Sequence, residues 1–196
     1  MCKFSEDSRQ KLGNAVIYIA NHTEQLSKTK LLKLLFLMEE YMVKHYHVPF
    51  MGLPFEIWQA GPVAKDIFID LSDGPFLLKD FVKTEVQKDA TYIRAIKPFC
   101  DDEFADCEME MMDEIIRKYG KKTAKQLVAE VHKEGSLWFN AAKKHGLLTA
   151  FNKGLCNNSD YTIDFSEELS DCAREDYKES LAIHQTANIL KAQEHV

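Results

Sequence analysis

The chain has 196 residues, of which 45% are hydrophobic and 29% charged, values that exclude a disordered chain and suit one domain with its own core. A net charge of −6 argues against non-specific nucleic-acid binding, which places many Lys and Arg on phosphates, although a local basic patch would suffice. Five cysteines, none in a C-x-x-C pair, and a polar, acidic amino terminus predict free thiols and a cytoplasmic protein that does not enter the membrane. We expect Cys2 to be exposed and Cys107 to face the core.

Apolar periodicity predicts a first helix over about 5–21 and a second over about 30–45, with Ser27 as its N-cap. Within 31–38 every residue except Lys33 is apolar. A helix that is apolar around most of its girth must be covered on several sides. We therefore expect the second helix to be the centre of the core.

Short strands are predicted next. Residues 55–58 alternate, and a Gly-Pro pair then turns the chain into a further helix with Pro62 at its first position. Residues 82–88 and 91–98 also alternate around a turn at 89–90, which is typical of a hairpin. Together these segments predict one small antiparallel sheet of about three strands.

Helices return over about 101–119, 123–132 and 136–145, and a long polar helix over 166–193 follows a loop at 152–160. The predicted fold class is mainly α (α+β), a compact helical bundle around the central apolar helix with the small sheet. We expect a helical domain at 1–150, with the loop and long helix of 151–196 packed on the same domain.

Catalytic and metal-binding signals are weak. His45 and His47 have no further ligand at a suitable spacing, and the acidic residues of 108–114 alternate with methionines as on a solvated helix face. No phosphate-binding loop, dinucleotide fingerprint or nucleophile elbow is present. We expect no catalytic residue, no metal and no cofactor, and hence a protein that is not an enzyme.

Two aromatic constellations stand out. Trp58 precedes a Gly-Pro turn, in which Gly61 is suited to a positive φ; the tryptophan is either a core anchor or the wall of a groove. Two short helices joined by a tight turn would bring His132 near Trp138. That pair is either a buried, hydrogen-bonded histidine packed in the core or a rigid patch that binds a partner, since Trp is enriched at interface hot spots.

A second interpretation concerns DNA. The helices at 123–132 and 136–145 could form a helix-turn-helix, which would make the chain a transcriptional or phage-related regulator. Basic residues lie beside them, namely Arg117, Lys118, Lys121, Lys122 and Lys125. A solvated helix end explains this cluster better than a phosphate-binding site does.

Three blocks of the sequence follow a known order: Lys-Leu-Leu-Lys-Leu-Leu-Phe at 30–36, Trp-Gln-Ala-Gly-Pro-Val at 58–63, and then Tyr119-Gly120, Leu127, Val131-His132 and Leu137-Trp138. In this pattern the chain resembles, over about 10–145, the phage-associated Panacea domain, also called the SocA-like antitoxin domain. Val131 and Leu137 stand where the family usually has Thr and Pro.

This resemblance implies a non-enzymatic antitoxin that binds and suppresses a toxic protein encoded nearby. Members of the family resemble antitoxins of diverse toxins, and at least one acts as an adaptor that delivers its toxin to a protease. The partner would be a protein, a toxin and possibly a protease system. The three blocks supply the residues that we assign to partner binding: Lys33, Trp58, Gly61, Pro62, His132 and Trp138.

Overall fold

The structure is a computed structural model that describes residues 4–72, 74–87 and 90–193. Its α-helices are α1 (Glu6–His22), α2 (Lys28–Tyr46), α3 (Lys65–Asp70), α4 (Asp106–Tyr119), α5 (Ala124–Val131), α6 (Leu137–Lys144), α7 (Leu147–Asn152) and α8 (Asp171–Gln193). Its strands are β1 (Glu56–Trp58), β2 (Gly61–Val63), β3 (Val82–Gln87) and β4 (Ala90–Ala95), and a short 3-10 helix spans Phe165–Glu168. The predicted mainly α class is confirmed.

Helix α2 is the centre of the molecule, as predicted. Ser27 caps it, because its Oγ accepts a hydrogen bond from the backbone N–H of Lys30 at 3.3 Å. Twelve residues of α2 are buried. The helix contacts α1, α3, α4 and α5 as well as strands β2 and β4. Such all-round cover is what its apolar girth requires.

The strands form two separate hairpins, so the prediction of one three-stranded sheet is wrong. β1 pairs with β2 and β3 with β4, each antiparallel. Pro62 lies in β2 opposite Ile57 rather than at a helix start, and α3 begins after it. A proline is tolerated there because Ile57 directs its N–H away from β2, to the carbonyl of Tyr161 at 2.9 Å. Ile57 and Pro62 are thus a non-hydrogen-bonded pair of the antiparallel ladder, and no bond between the two strands needs an N–H from Pro62.

Two predicted helix starts are also wrong. α4 begins at Asp106, because the acidic residues before it form a turn in which the N–H of Phe104 donates to the carbonyl of Asp101 at 2.9 Å. α8 begins at Asp171. The segment before it is held as a 3-10 helix with Phe165 and Ser166 buried. Helix α7 falls where no helix was predicted.

Helix α8 lies along α1 and the loop after α2. His184 Nε2 lies 3.1 Å from the carbonyl oxygen of Met51, and Ser8 Oγ donates to Asn188 Oδ1 at 2.6 Å. Tyr177 is buried. The division of the chain into 1–150 and 151–196 stays a prediction.

The four described cysteines are free, as predicted, and Cys107 packs half-buried against the core. Cys2 and Asp89, the first residue of the predicted hairpin turn, lie outside the described residues.

Candidate functional site

The six residues assigned to partner binding converge on one place. Lys33 comes from α2, Trp58, Gly61 and Pro62 come from the β1–β2 hairpin, and His132 and Trp138 flank the turn between α5 and α6. We call these six residues the Lys33 cluster. It joins three parts of the chain that are far apart in sequence.

Lys33 is the buried charge at the centre of the cluster. The residue is 1% exposed, and its Nζ donates a hydrogen bond to the carbonyl oxygen of Pro62 at 2.8 Å. Burial lowers the pKa of Lys33 to about 7, because an ammonium group removed from water is disfavoured relative to the neutral amine. The side chain thus ties α2 to the hairpin and stands close to its own protonation midpoint at neutral pH.

Gly61 lets the hairpin approach this lysine. Its φ is +95°, which confirms the predicted positive φ. A Cβ at this position would lie 2.7 Å from Cε of Lys33 and 3.0 Å from Cγ2 of Val131. Glycine is therefore required both by the backbone conformation and by the space between α2 and α5.

His132 follows α5 and stacks on Trp138, as predicted, with ring centroids 3.7 Å apart and an interplanar angle of 6°. Its Nε2 is buried and has no hydrogen-bond partner among the described residues. Burial, and after it the charge of Lys33, lowers the pKa of His132 to about 4. The histidine is neutral at pH 7, and the hydrogen bond predicted for a buried histidine is not made at Nε2.

The two tryptophans connect α6 to the hairpin. Trp138 is 3% exposed, and its Nε1 donates to the backbone carbonyl of Trp58 at 3.1 Å. Trp58 is half-buried; its Nε1 donates to Glu56 at 2.8 Å, and its ring packs edge-on against Phe68. Trp58 thus anchors the fold with one part of its side chain while another part is exposed, and its role as the wall of a groove stays a prediction.

Replacing Trp138 with Phe is expected to cost about 1–2 kcal/mol of unfolding free energy, because the Trp58 carbonyl loses its donor while most of the ring packing remains. Urea denaturation measures the change. The matched variant Phe139→Leu, on the half-buried side of the same helix, removes no hydrogen bond and is expected to change stability less. Equal losses in the two variants would show that the indole N–H contributes nothing.

The residues of the Lys33 cluster differ in burial, which decides whether they could contact a partner. Lys33, Gly61, Pro62 and Trp138 are buried and offer no surface to a partner in this conformation. Trp58 and the ring of His132 are half-buried. Direct partner contact by any of these residues stays a prediction.

Sequence reasoning missed the buried carboxylate of α2. Glu39 is 1% exposed, and its carboxylate accepts hydrogen bonds from the backbone N–H groups of Phe50, Met51 and Gly52 at 2.9–3.2 Å. Burial raises the pKa of Glu39 to about 7, while the three N–H groups and the charge of Lys11 oppose that rise. Glu39 directly follows the apolar stretch of 31–38 and precedes Met42 and Val43 on the same helix, and this setting was the available signal.

The alternative DNA-binding interpretation is not tested by this geometry. Within the basic cluster, Arg117 pairs with Glu114 and Lys122 with Glu130, so part of its charge is neutralised internally. Helix α6 buries four of its eight residues, namely Leu137, Trp138, Ala141 and Ala142. The helix-turn-helix stays a prediction.

Within residues 4–72, 74–87 and 90–193, no three His, Cys, Asp or Glu side chains gather as metal ligands would. Over the same residues, no helix has the length and apolar character needed to cross a membrane.

Comparison with known proteins identifies the family of this chain. Residues 31–139, more than half of the chain, match the family model described as "Antitoxin SocA-like, Panacea domain". The matched segment contains the whole Lys33 cluster. Neither the curated proteins nor the solved structures give a match. The chain therefore belongs to the SocA-like antitoxin family that carries the Panacea domain, a family related to toxin–antitoxin systems.

Proposed function

We propose that this protein is a non-enzymatic antitoxin, which binds a toxin encoded nearby and neutralises it by blocking it or by acting as an adaptor for a protease. The observation that carries the proposal is the family match over 31–139. The contacts of the Lys33 cluster support it, because the same matched segment folds into one connected unit around α2.

The use of the polar groups in this cluster favours binding over catalysis. Nζ of Lys33 and Nε1 of Trp138 both donate to backbone carbonyls of one hairpin, at Pro62 and Trp58. A general base or nucleophile needs a reactive atom within reach of a substrate. Here both donors are committed to holding the hairpin against α2 and α6, which is the task of a binding scaffold.

The test is growth of a host that expresses the adjacent open reading frame, with and without this protein. We expect the neighbouring gene alone to stop growth and co-expression to restore it, with the two proteins recovered as one complex. A harmless neighbour, or growth arrest that co-expression does not relieve, would contradict the proposal.

A second measurement separates the two modes of neutralisation. The half-life of the neighbouring gene product is followed with and without this protein, in hosts that have or lack their cytoplasmic proteases. An adaptor shortens the half-life only where the protease is present, whereas a blocking antitoxin leaves it unchanged or lengthens it.

A further inference from the structure

We propose that the outer edge of β3 is the docking site of an extended, acidic segment of a partner protein, which adds to the β3–β4 hairpin as a third strand. This inference rests on the proposed function in so far as the partner is the toxin. Its test below is independent of the toxin's identity.

The register of the hairpin shows which backbone groups face outward. The N–H of Ile96 donates to the carbonyl of Phe81 at 2.9 Å, so these residues form a hydrogen-bonded pair. Hydrogen-bonded and non-hydrogen-bonded pairs alternate along an antiparallel ladder. Counting along the register, Thr84 and Val86 of β3 belong to non-hydrogen-bonded pairs. Their N–H and C=O groups therefore point away from β4.

The opposite edge supports this assignment. Ile93, the cross-strand partner of Thr84, directs its N–H away from β3 to the carbonyl of Leu26 at 2.9 Å. The edge of β4 is thus partly covered, with a further bridge between Ser27 and Tyr92.

The outer edge of β3 is covered only at its start. The N–H of Val82 donates to the carbonyl of Leu78 at 3.0 Å. Beyond it, the backbone groups of Thr84 and Val86 make no hydrogen bond to another element among the described residues. A row of such groups is the template to which an extended peptide adds.

The base of the hairpin is held in place before any partner arrives. The carboxylate of Asp70 accepts hydrogen bonds from the backbone N–H groups of Phe76, Leu77 and Leu78 at 2.7–3.2 Å. These contacts tie the chain entering β3 to the end of α3. A pre-organised edge loses less conformational entropy on binding.

The side chains of β3 indicate the chemistry of the partner strand. Val86 is 78% exposed on one face of the strand, and Thr84 precedes it on that face. On the other face Lys83 and Arg94 both pair with Glu85, and this single carboxylate neutralises only one of the two positive charges. A strand that alternates β-branched and acidic residues complements both faces.

The surrounding charge points the same way. The described residues of 74–97 carry four basic side chains and two acidic ones, a surplus of two positive charges in a chain whose net charge is −6. Lys79 and Lys97 lie over the rings of Phe76 and Phe81. Positive charge attracts an acidic partner and disfavours a second copy of this hairpin, which would oppose like charges.

The direct test is a titration of the full-length protein with a short, terminally blocked peptide in which Val and Glu alternate, followed by amide chemical shifts. We expect saturable changes centred on Thr84 and Val86 that weaken as salt is added. No saturable change, or changes centred on Thr91 at the opposite edge, would overturn the inference.

Two proline variants form a matched pair, because Val86 and Thr91 are cross-strand partners whose N–H groups point to opposite edges. Val86→Pro removes an outward donor from β3 and is expected to weaken peptide binding about tenfold or more, whereas Thr91→Pro removes one from β4 and leaves binding unchanged. Lys83→Glu, which keeps the backbone intact, is expected to weaken binding as well. Equal affinities for all three variants would contradict the inference.

Co-expression with the adjacent open reading frame then separates this inference from the proposed function. If the unaltered protein gives no protection, the proposed function has failed, while the peptide titration still decides the edge. If the unaltered protein protects and Val86→Pro protects equally well, the function stands and the edge is not the toxin's docking site. Loss of protection in Val86→Pro with retention in Thr91→Pro supports both.

Discussion

Replacing Gly61 with Ala is expected to lower the free energy of unfolding by about 3–5 kcal/mol. Two costs combine. An L-residue is strained at a φ of +95°, and its Cβ would meet Cε of Lys33 at 2.7 Å and Cγ2 of Val131 at 3.0 Å. Lys33 is buried and cannot swing into solvent, so α2, the hairpin or α5 must shift. Urea denaturation monitored by circular dichroism measures the loss.

Gly135 provides the matched control. Its φ is +84°, yet a Cβ built there meets nothing within 4 Å. Gly135→Ala therefore carries the backbone strain without the collision, and we expect a loss of about 1–2 kcal/mol. Equal losses in the two variants would show that the close approach of the hairpin to Lys33 contributes nothing. A larger loss at Gly61 would establish that this approach sets the cost.

Local signals predicted much of the fold. The sequence predicts Ser27 as the N-cap of α2, and its Oγ does accept a hydrogen bond from the N–H of Lys30. The hairpin of β3 and β4 follows its alternation within a residue or two. These features depend on neighbours in sequence, namely a capping side chain or a period of two. Such local signals can be recognised without any knowledge of the tertiary structure.

Other features depend on distant partners and could not be predicted. β2 is three residues long, too short for a periodic signal, and it exists because β1 lies beside it. The sequence therefore favours a common role of proline for Pro62, at the first position of a helix. In the same way, the first acidic residues after β4 look like a helix start, but a turn closed by Phe104 delays α4.

The candidate site shows the same division. The proximity of His132 and Trp138 was predictable, because only a tight turn separates them in sequence. The position of Lys33 beneath the hairpin was not, because lysine is rarely buried and its partner is a backbone carbonyl 29 residues away. The resemblance identified residues that belong together, and the structure shows that their common centre is this lysine.

The buried lysine also predicts how stability depends on pH. The pKa of Lys33 is about 7 in the folded protein and ordinarily 10.5, so between these values the unfolded chain binds more protons than the folded one. The contribution of Lys33 to stability therefore rises with pH through this window, by at most about 1.4 kcal/mol per pH unit. Below about pH 7 the amine is protonated in both states, and the full cost of a buried ammonium is present.

We expect the Lys33→Met variant to lose this dependence. Methionine fills a similar volume without a charge. From pH 7 to pH 9, the free energy of unfolding of the unaltered protein should therefore rise by about 2 kcal/mol relative to that of the variant. Lys125→Met, which removes an exposed lysine, is the matched control for the loss of one positive charge. His132 does not interfere, because its pKa is lowered to about 4 and it stays neutral throughout. Urea denaturation across this range makes the comparison.

Parallel stability curves for the unaltered protein and Lys33→Met would mean that the lysine keeps its charge in the core. The carbonyl of Pro62 would then be accepting a hydrogen bond from an ammonium group rather than from a neutral amine.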